Sequence, residues 1–377
     1  VAMLLMLVTA CSAAIPGNPS ASTAGTSINP GSYNTAPRPV LPPNDAQRLV
    51  LAANYLGERI LSAPDVDPSL TRSAGYLGPL MSADNAAPIS NSAPILRRNG
   101  YRYGYKSVRQ TGDYSEMMST QLFQTDTPDH AKSLADDLRT ADSGVRVGDS
   151  ADRRVPITDT TIPGAGSRSL VAISSVGSTV AYITAFARTT GRAQELVGKA
   201  IDLQVDRLGG YHAPEGELAT MLTADRDQIV SYTVQNQTPS EYGFYAEYGY
   251  RSARIQALDE PDTVAASSTF DRTGVDLVGM GINTVYRART TSDADALRDF
   301  LAGQVRLNGA LIRKRFSVDQ VPGSVCHVYR LGETASAILM TTCFVSRGRY
   351  VSAVEAPQTD QAHQITAAAY LILGEAR

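Results

Sequence analysis

The sequence predicts an α+β protein of two tandem related domains, each an antiparallel sheet with helices packed on one face, behind an N-terminal disordered tether. Three observations carry this expectation. A proline-rich, almost uncharged stretch sets the N-terminus apart. Two separated landmarks recur in the same order in both halves, and each copy alternates strand-like runs with runs of helical spacing.

In chain order, Val1 to Ala10 is an unbroken apolar run that ends in small residues directly before Cys11, the shape of an export signal's core. As a helix it rises only about 15 Å, half of a bilayer's hydrocarbon core, so residues 1–10 are expected to be a cleaved signal and not a span. Val8-Thr9-Ala10-Cys11 resembles the bacterial lipobox. The resemblance implies cleavage after Ala10 and thioether lipidation of Cys11, which makes the outer face of a membrane the first expected partner.

Residues 11–43 then read as a lipidated tether. Positions 12–43 hold seven prolines and one charge, Arg38, too little apolar surface to fold alone, and fully extended they would reach on the order of 100 Å. The remainder divides into 44–212 and 213–377. The first begins at Asn44 or Asp45, either able to cap a helix whose apolar residues Leu49, Ala53, Leu56 and Ile60 follow helical spacing until Pro64.

The duplication has two landmarks. Thr120–Thr125 followed by a helix over Ala131–Leu138 matches Asn283–Ala288 followed by a helix over Asp295–Leu301. At one offset, Phe123 matches Tyr286, Leu134 matches Leu297 and Leu138 matches Leu301. Thr127 before Pro128 is a helix start, as is Ser292 before Asp293. The second landmark pairs Ile162-Pro163-Gly164 with Val321-Pro322-Gly323, each ahead of two alternating runs and a helix. The runs are Ser169–Ser174 and Thr179–Ala187 in one copy, Val325–Leu331 and Ala337–Val345 in the other. A shorter echo relates Tyr103–Arg109 to Tyr248–Arg254.

With Cys11 lipidated, Cys326 and Cys343 lie on opposite arms of the second copy's hairpin. If they face each other, Val325 faces Phe344 and Tyr329 faces Met340, a register compatible with a disulfide. The matching position in the first copy is Ser167, which leaves that hairpin unstapled.

Chemistry-bearing motifs are sparse. His130, His212, His327 and His363 stand in no metal-ligand spacing and read as surface or hairpin residues, with His327 pointing away from the Cys326 face. The serines offer no nucleophile elbow. Gly279-Met280-Gly281 does not continue into a phosphate cradle, and the pairs Asp65/Asp67 and Asp293/Asp295 read as caps. No catalytic residue, metal ligand or cofactor is therefore assigned, and a formal charge of −3 gives no electrostatic reason to expect nucleic acid.

Tyrosine stands out, with eighteen residues and no tryptophan. Alternation along a strand would put Tyr101, Tyr103 and Tyr105 on one face, and Tyr242, Tyr245, Tyr248 and Tyr250 form a second group. The speculative ligand surface is thus Tyr101, Tyr103, Tyr105, Tyr245, Tyr248 and Tyr250, suited to a glycan or lipid headgroup because Tyr joins an apolar face to a polar tip. The competing reading is a half-buried strand face.

Several features together look like the two-domain lipoproteins of mycobacteria and related actinobacteria, a family catalogued as a domain of unknown function. They are the lipobox, the tether with Gly31-Ser-Tyr-Asn-Thr-Ala-Pro-Arg-Pro39, the Asn44 helix, Gly274-Val-Asp276 ahead of Thr284–Arg287, and Gly348–Val351 with Gln361–His363. The resemblance implies a cell-envelope location and carries over no site residues. Two function classes follow: a non-enzymatic lipoprotein that binds an envelope lipid, glycan or protein partner, and, as the alternative, an envelope hydrolase whose site is assembled from distant residues.

Overall fold

The structure, a computed structural model, describes residues 27–376 apart from 76, 143, 163, 165, 215–221, 236–248, 309 and 332–338. The expected signal, Cys11, Tyr245 and Tyr248 lie outside the described residues.

The first domain runs α1 (Asp45–Gly57), α2 (Ala63–Val66), β1 (Arg72–Ser73), β2 (Gly78–Leu80), α3 (Ala83–Ala86), α4 (Ala93–Arg98), β3 (Tyr101–Gln110), β4 (Met117–Thr125), α5 (Pro128–Ala141), β5 (Val145–Asp149), β6 (Pro156–Asp159), β7 (Arg168–Val176), β8 (Thr179–Ala187) and α6 (Thr190–Leu208). The second runs β9 (Tyr250–Ser252), α7 (Ala253–Asp259), α8 (Thr263–Thr273), β10 (Leu277–Met280), β11 (Asn283–Arg287), α9 (Thr291–Gln304), a 3-10 turn (Val305–Asn308), β12 (Ala310–Phe316), β13 (Val325–Leu331), β14 (Leu339–Arg347), β15 (Tyr350–Ala356) and α10 (Thr359–Leu373).

The duplication is visible in the sheets. The order β3-β4-β8-β7-β6-β5 in the first recurs as β10-β11-β15-β14-β13-β12 in the second, and the paired strands are antiparallel. The first landmark holds at side-chain level. Leu134 and Leu138 of α5 pack with Phe123, and their counterparts Leu297 and Leu301 of α9 pack with Tyr286. Both helices start on a threonine: Thr127 accepts from the His130 amide and Thr290 from the Asp293 amide. The second start is therefore two residues earlier than Ser292, because the cap must stand three residues before the amide it satisfies.

The second landmark is displaced by one strand. Gly164 precedes β7, but Gly323 precedes β13, whose topological counterpart is β6. The true partner of the β7–β8 hairpin is β14–β15, with tight turns on Gly177 and Gly348 at φ +53° and +56°. The match of Ser167 to Cys326 falls with it. The Tyr103–Arg109 echo is likewise no repeat, since that stretch lies within β3 while Tyr250–Arg254 runs from β9 into α7.

Helices cover both faces of each sheet, not one. In the first domain α1 and α6 pack over Leu122, Leu170, Ala172 and Ile183, while α3, α4 and α5 pack over Phe123, Val171, Ile173 and Tyr182 on the opposite face. In the second, α10 covers Val285, Cys343, Val345 and Val354, and α8 and α9 cover Val278, Tyr286, Phe344 and Val351. Long strands carry apolar residues at consecutive positions, and burial on both sides is what such runs require.

Part of the expected tether is also docked. Ile28, Tyr33 and Val40 pack against the core under α10. The Arg38 amide donates to the Ser231 carbonyl at 3.0 Å, and the Gln235 amide donates to Asn34 Oδ1 at 3.0 Å. Residues 27–43 have no core of their own, but their prolines hold them extended, which lowers the ordering cost of lying along a ready-made surface.

The domains meet through α7. Its Ile255 and Leu258 enter the first domain's core, while Ala257 faces the second's. Beside it, the Ser73 amide donates to the Pro261 carbonyl and the Thr263 amide to the Thr71 carbonyl. A helix that the sequence assigns to the second domain thus plugs into the first.

Candidate ligand cavity in the second domain

Among the described residues, the tyrosines singled out from the sequence do not make an exposed ring surface. A bulge between Tyr101 and Tyr103 breaks the alternation of β3, so Tyr101 turns to the α4 and α5 side and packs edge-on to Phe123. Tyr103 and Tyr105, on the other face, are 2% and 1% exposed beneath α1. Tyr250 is half-buried on β9 and lines a hollow of about 390 Å³ against α1.

The sequence-predicted pairing of Cys326 with Cys343 is present. The two are directly opposed across β13 and β14 with a Cα separation of 4.1 Å, and Val325 faces Phe344 and Tyr329 faces Met340.

Of the histidines, His130 bonds Asp126 at 2.5 Å on the exposed start of α5. His212 is exposed, and the His363 ring lies 4.8 Å from that of Phe316. His327 differs from expectation. It points away from the cysteine face, but the second domain buries it to 3% exposure. Burial, with Arg315 and Arg306 nearby, holds its imidazole below the usual range. The four aspartates read as caps are engaged: Asp65 with Arg207, Asp67 with Arg192, Asp293 with Arg289 and Asp295 with Arg298.

The polar centre that sequence reasoning missed lies on the α9 face of the second sheet. A cavity of about 510 Å³ opens between residues 256–261, the C-terminal end of α9, and strands β11, β13, β14 and β15. Its floor is Glu260, 8% exposed, whose Oε1 accepts from the Tyr286 hydroxyl at 2.8 Å and from Gln256 Nε2 at 3.0 Å. Burial pushes the Glu260 carboxyl up from its ordinary value, opposed by these two donors and by Arg109 and Arg251. Burial and the neighbouring Glu260 push the Tyr286 phenol well up, so Tyr286 stays a donor.

Three acceptors in this cavity have no hydrogen-bond partner among the described residues: Gln256 Oε1, Asp259 Oδ1 and Gln304 Oε1. A buried polar atom left unpaired costs about 1–3 kcal/mol, so three on side chains that line one cavity mark it as the least satisfied polar region of this face. The charges are mostly compensated. Arg251 pairs with Asp259, the Tyr329 hydroxyl donates to Glu355 at 2.5 Å, and Arg109 stands behind Glu260. Tyr286, Phe344, Met280 and Met340 supply apolar wall. Chemically the lining joins polar side chains to an apolar wall.

The equivalent face of the first domain is apolar. Phe123 replaces Tyr286 and packs with Leu80, Ala86, Leu96 and Tyr182. A larger hollow of about 600 Å³ beside α6 is acidic, but Asp202, its buried carboxylate, already accepts from Ser150 and from the Asp152 and Arg153 amides. The one sequence signal for this cavity was Tyr286 in place of Phe123 within an otherwise apolar match.

No curated protein matches the chain. Among solved structures, the extracellular domain of PknH from Mycobacterium tuberculosis is similar over 47% of this chain and 100% of its own, at 15% identity and a TM-score of 0.31, too weak a likeness to support an argument. Family models described as domain of unknown function DUF7373 match in two parts, the N-terminal one over residues 40–222 and the C-terminal one over residues 218–376. Those two parts meet near the boundary between the two sheets and together span the folded body, and the chain belongs to the DUF7373 family.

Proposed function

We propose that this protein is a lipid-anchored envelope lipoprotein, held through Cys11 at the extracytoplasmic face of a membrane, that binds without catalysis a neutral, hydroxyl-rich ligand of the glycan class in the cavity over Glu260. The observation that carries the reading is one cavity lined by the polar side chains Gln256, Asp259, Glu260 and Gln304 together with aromatic and methionine side chains. Sugar hydroxyls donate to such acceptors while the ring's C–H face packs on Tyr or Phe. A cationic ligand fits less well, because Arg251 and Arg109 already offset the nearby carboxylates.

Native mass spectrometry of the full chain, gently extracted from its own envelope, tests this. Wild type is expected to carry a bound saccharide or glycolipid, and Gln256→Leu with Gln304→Leu to release it while remaining folded. An equal complement on both proteins would remove the cavity from the account.

A further inference from the structure

The outer edge of the second sheet carries unopposed positive charge. Strand β12 reads Ala-Leu-Ile-Arg-Lys-Arg-Phe over 310–316, and Arg313, Lys314 and Arg315 are exposed, with exposed Arg306 just before it. Among the described residues none of these four forms an ion pair, whereas many other arginines in the protein do. Lys314 instead lies over the Phe316 ring, 5.5 Å from its centroid.

Cations and bulges on an edge strand are a common defence against edge-to-edge aggregation, and the duplication supplies an internal control. The topologically equivalent edge of the first domain is β5, which also carries a bulge, between Arg146 and Gly148, as β12 does between Ile312 and Lys314. On β5 the charge is cancelled locally, since Arg146 pairs with Asp149. The same edge geometry is thus protected in one copy without surplus charge, and the surplus in the other calls for an anionic partner.

The first described residues lie near this edge. Gly31 lies against Gln364, and the Tyr33 hydroxyl accepts from Gln361 Nε2 at 3.3 Å, both on the first turns of α10. The neighbouring face of those turns carries His363, in ring contact with Phe316 at the end of β12. Because residues 27–43 are docked, the chain from Cys11 to Ser27 spans at most about 50 Å even fully extended, half the reach the whole tether would have had.

We infer that β12 and Arg306 form a docking edge for an anionic lipid surface, so that the second domain rests on the membrane with its basic edge toward the headgroups. The inference rests on the reading of Cys11 as a lipid anchor. Each Lys or Arg brought to such a surface contributes roughly fivefold to attraction, and because that attraction falls off within a Debye length of about 8–10 Å it acts only on an edge held close to the headgroups.

The test is hydrogen exchange of the full, processed chain reconstituted in phosphatidylcholine vesicles with and without phosphatidylglycerol. The inference expects the 311–316 amides to slow on the order of tenfold in the anionic vesicles. It expects the Arg313→Gln/Lys314→Gln/Arg315→Gln variant to exchange there at the rate found in neutral vesicles. Arg306→Gln, outside the strand, should give a smaller loss of protection and keeps the test sound if the triple variant unfolds. Equal exchange of wild type in both vesicles overturns the inference, as does protection by a soluble polyanion but by neither vesicle. The mass of the N-terminal peptide decides the anchor separately: without lipid at Cys11 the anchor reading fails, while protection by anionic vesicles would still support the edge.

Discussion

Arg109 Nη1 of the first domain donates to the backbone carbonyl of Glu260 in the second at 3.1 Å, and the Arg109 side chain is 0% exposed. Its guanidinium is also the positive charge behind the cavity's carboxylate, so the same residue joins the domains and sets the electrostatics of the candidate site. Burial lowers its pKa to about 10, which still leaves it charged at neutral pH.

Arg109→Ala is therefore expected to cost about 3–5 kcal/mol, because it removes one of the two charges that offset the buried Glu260 carboxyl, breaks the bond to its carbonyl and opens a void at the junction. Urea unfolding followed separately in the two domains should change from one shared transition to two. A single transition shifted by less than about 1 kcal/mol would show that the residue joins nothing.

Asp142 caps the C-terminus of α5, where the helix dipole disfavours an anion, and burial raises its carboxyl to about 6. Its Oδ2 is buried without a hydrogen-bond partner among the described residues. The folded state thus holds this proton more tightly than the unfolded chain. Stability is full below the ordinary aspartate value of 3.8 and falls as pH rises through about 6. Asp142→Asn should add about 1–2 kcal/mol at pH 7, after allowance for partial solvent access, and nothing near pH 3. Thermal melts across that range check it.

Arg192 works with the opposite sign. It ties the α2 end to β4 and α6 by bonding Asp67, Glu116 at 3.0 Å and Glu195 at 3.0 Å. Hydrogen bonds from Ser69 and Arg192 hold Asp67 down at about 2. That contribution is present above the ordinary carboxylate range and is lost as pH falls through 2. Arg192→Ala should lower stability at pH 7 by about 1–2 kcal/mol, and the difference should shrink as pH falls through about 2, where Asp67 takes up its proton.

Cys326 and Cys343 close a loop with a sequence separation of 17. Reduction, or the double change to Ser, should cost about 3 kcal/mol in the chain-entropy model, less any order the β13–β14 hairpin keeps when unfolded. Denaturant titrations with and without reductant would show it, and because the two domains share one transition the signals of both should shift together.

Much of this was legible in the sequence, and the failures have definite causes. The α5 and α9 match was readable because core leucines at helical spacing tolerate little change, and the β13–β14 register was readable because two cysteines fix it. The second landmark misled because Pro-Gly marks a turn without saying which strand it precedes. Tyr101, Tyr103 and Tyr105 misled because a bulge at one residue flips a strand's alternation, which periodicity alone does not reveal. The cavity was hidden for a different reason: Gln256 and Glu260 belong to α7 and its C-cap, Tyr286 to β11 and Gln304 to α9, and only the packing of those three elements unites them.

The central claim is that this cavity binds a hydroxyl-rich ligand, and Met280 and Met340 line it. Methyl-labelled methionine NMR of the full chain, titrated with a panel of mono- and disaccharides, reads the cavity from inside. Selective, saturable shifts of Met280 and Met340 that vanish in Gln256→Leu/Gln304→Leu are the predicted result. Shifts confined to other methionines, or none across the panel, would contradict it.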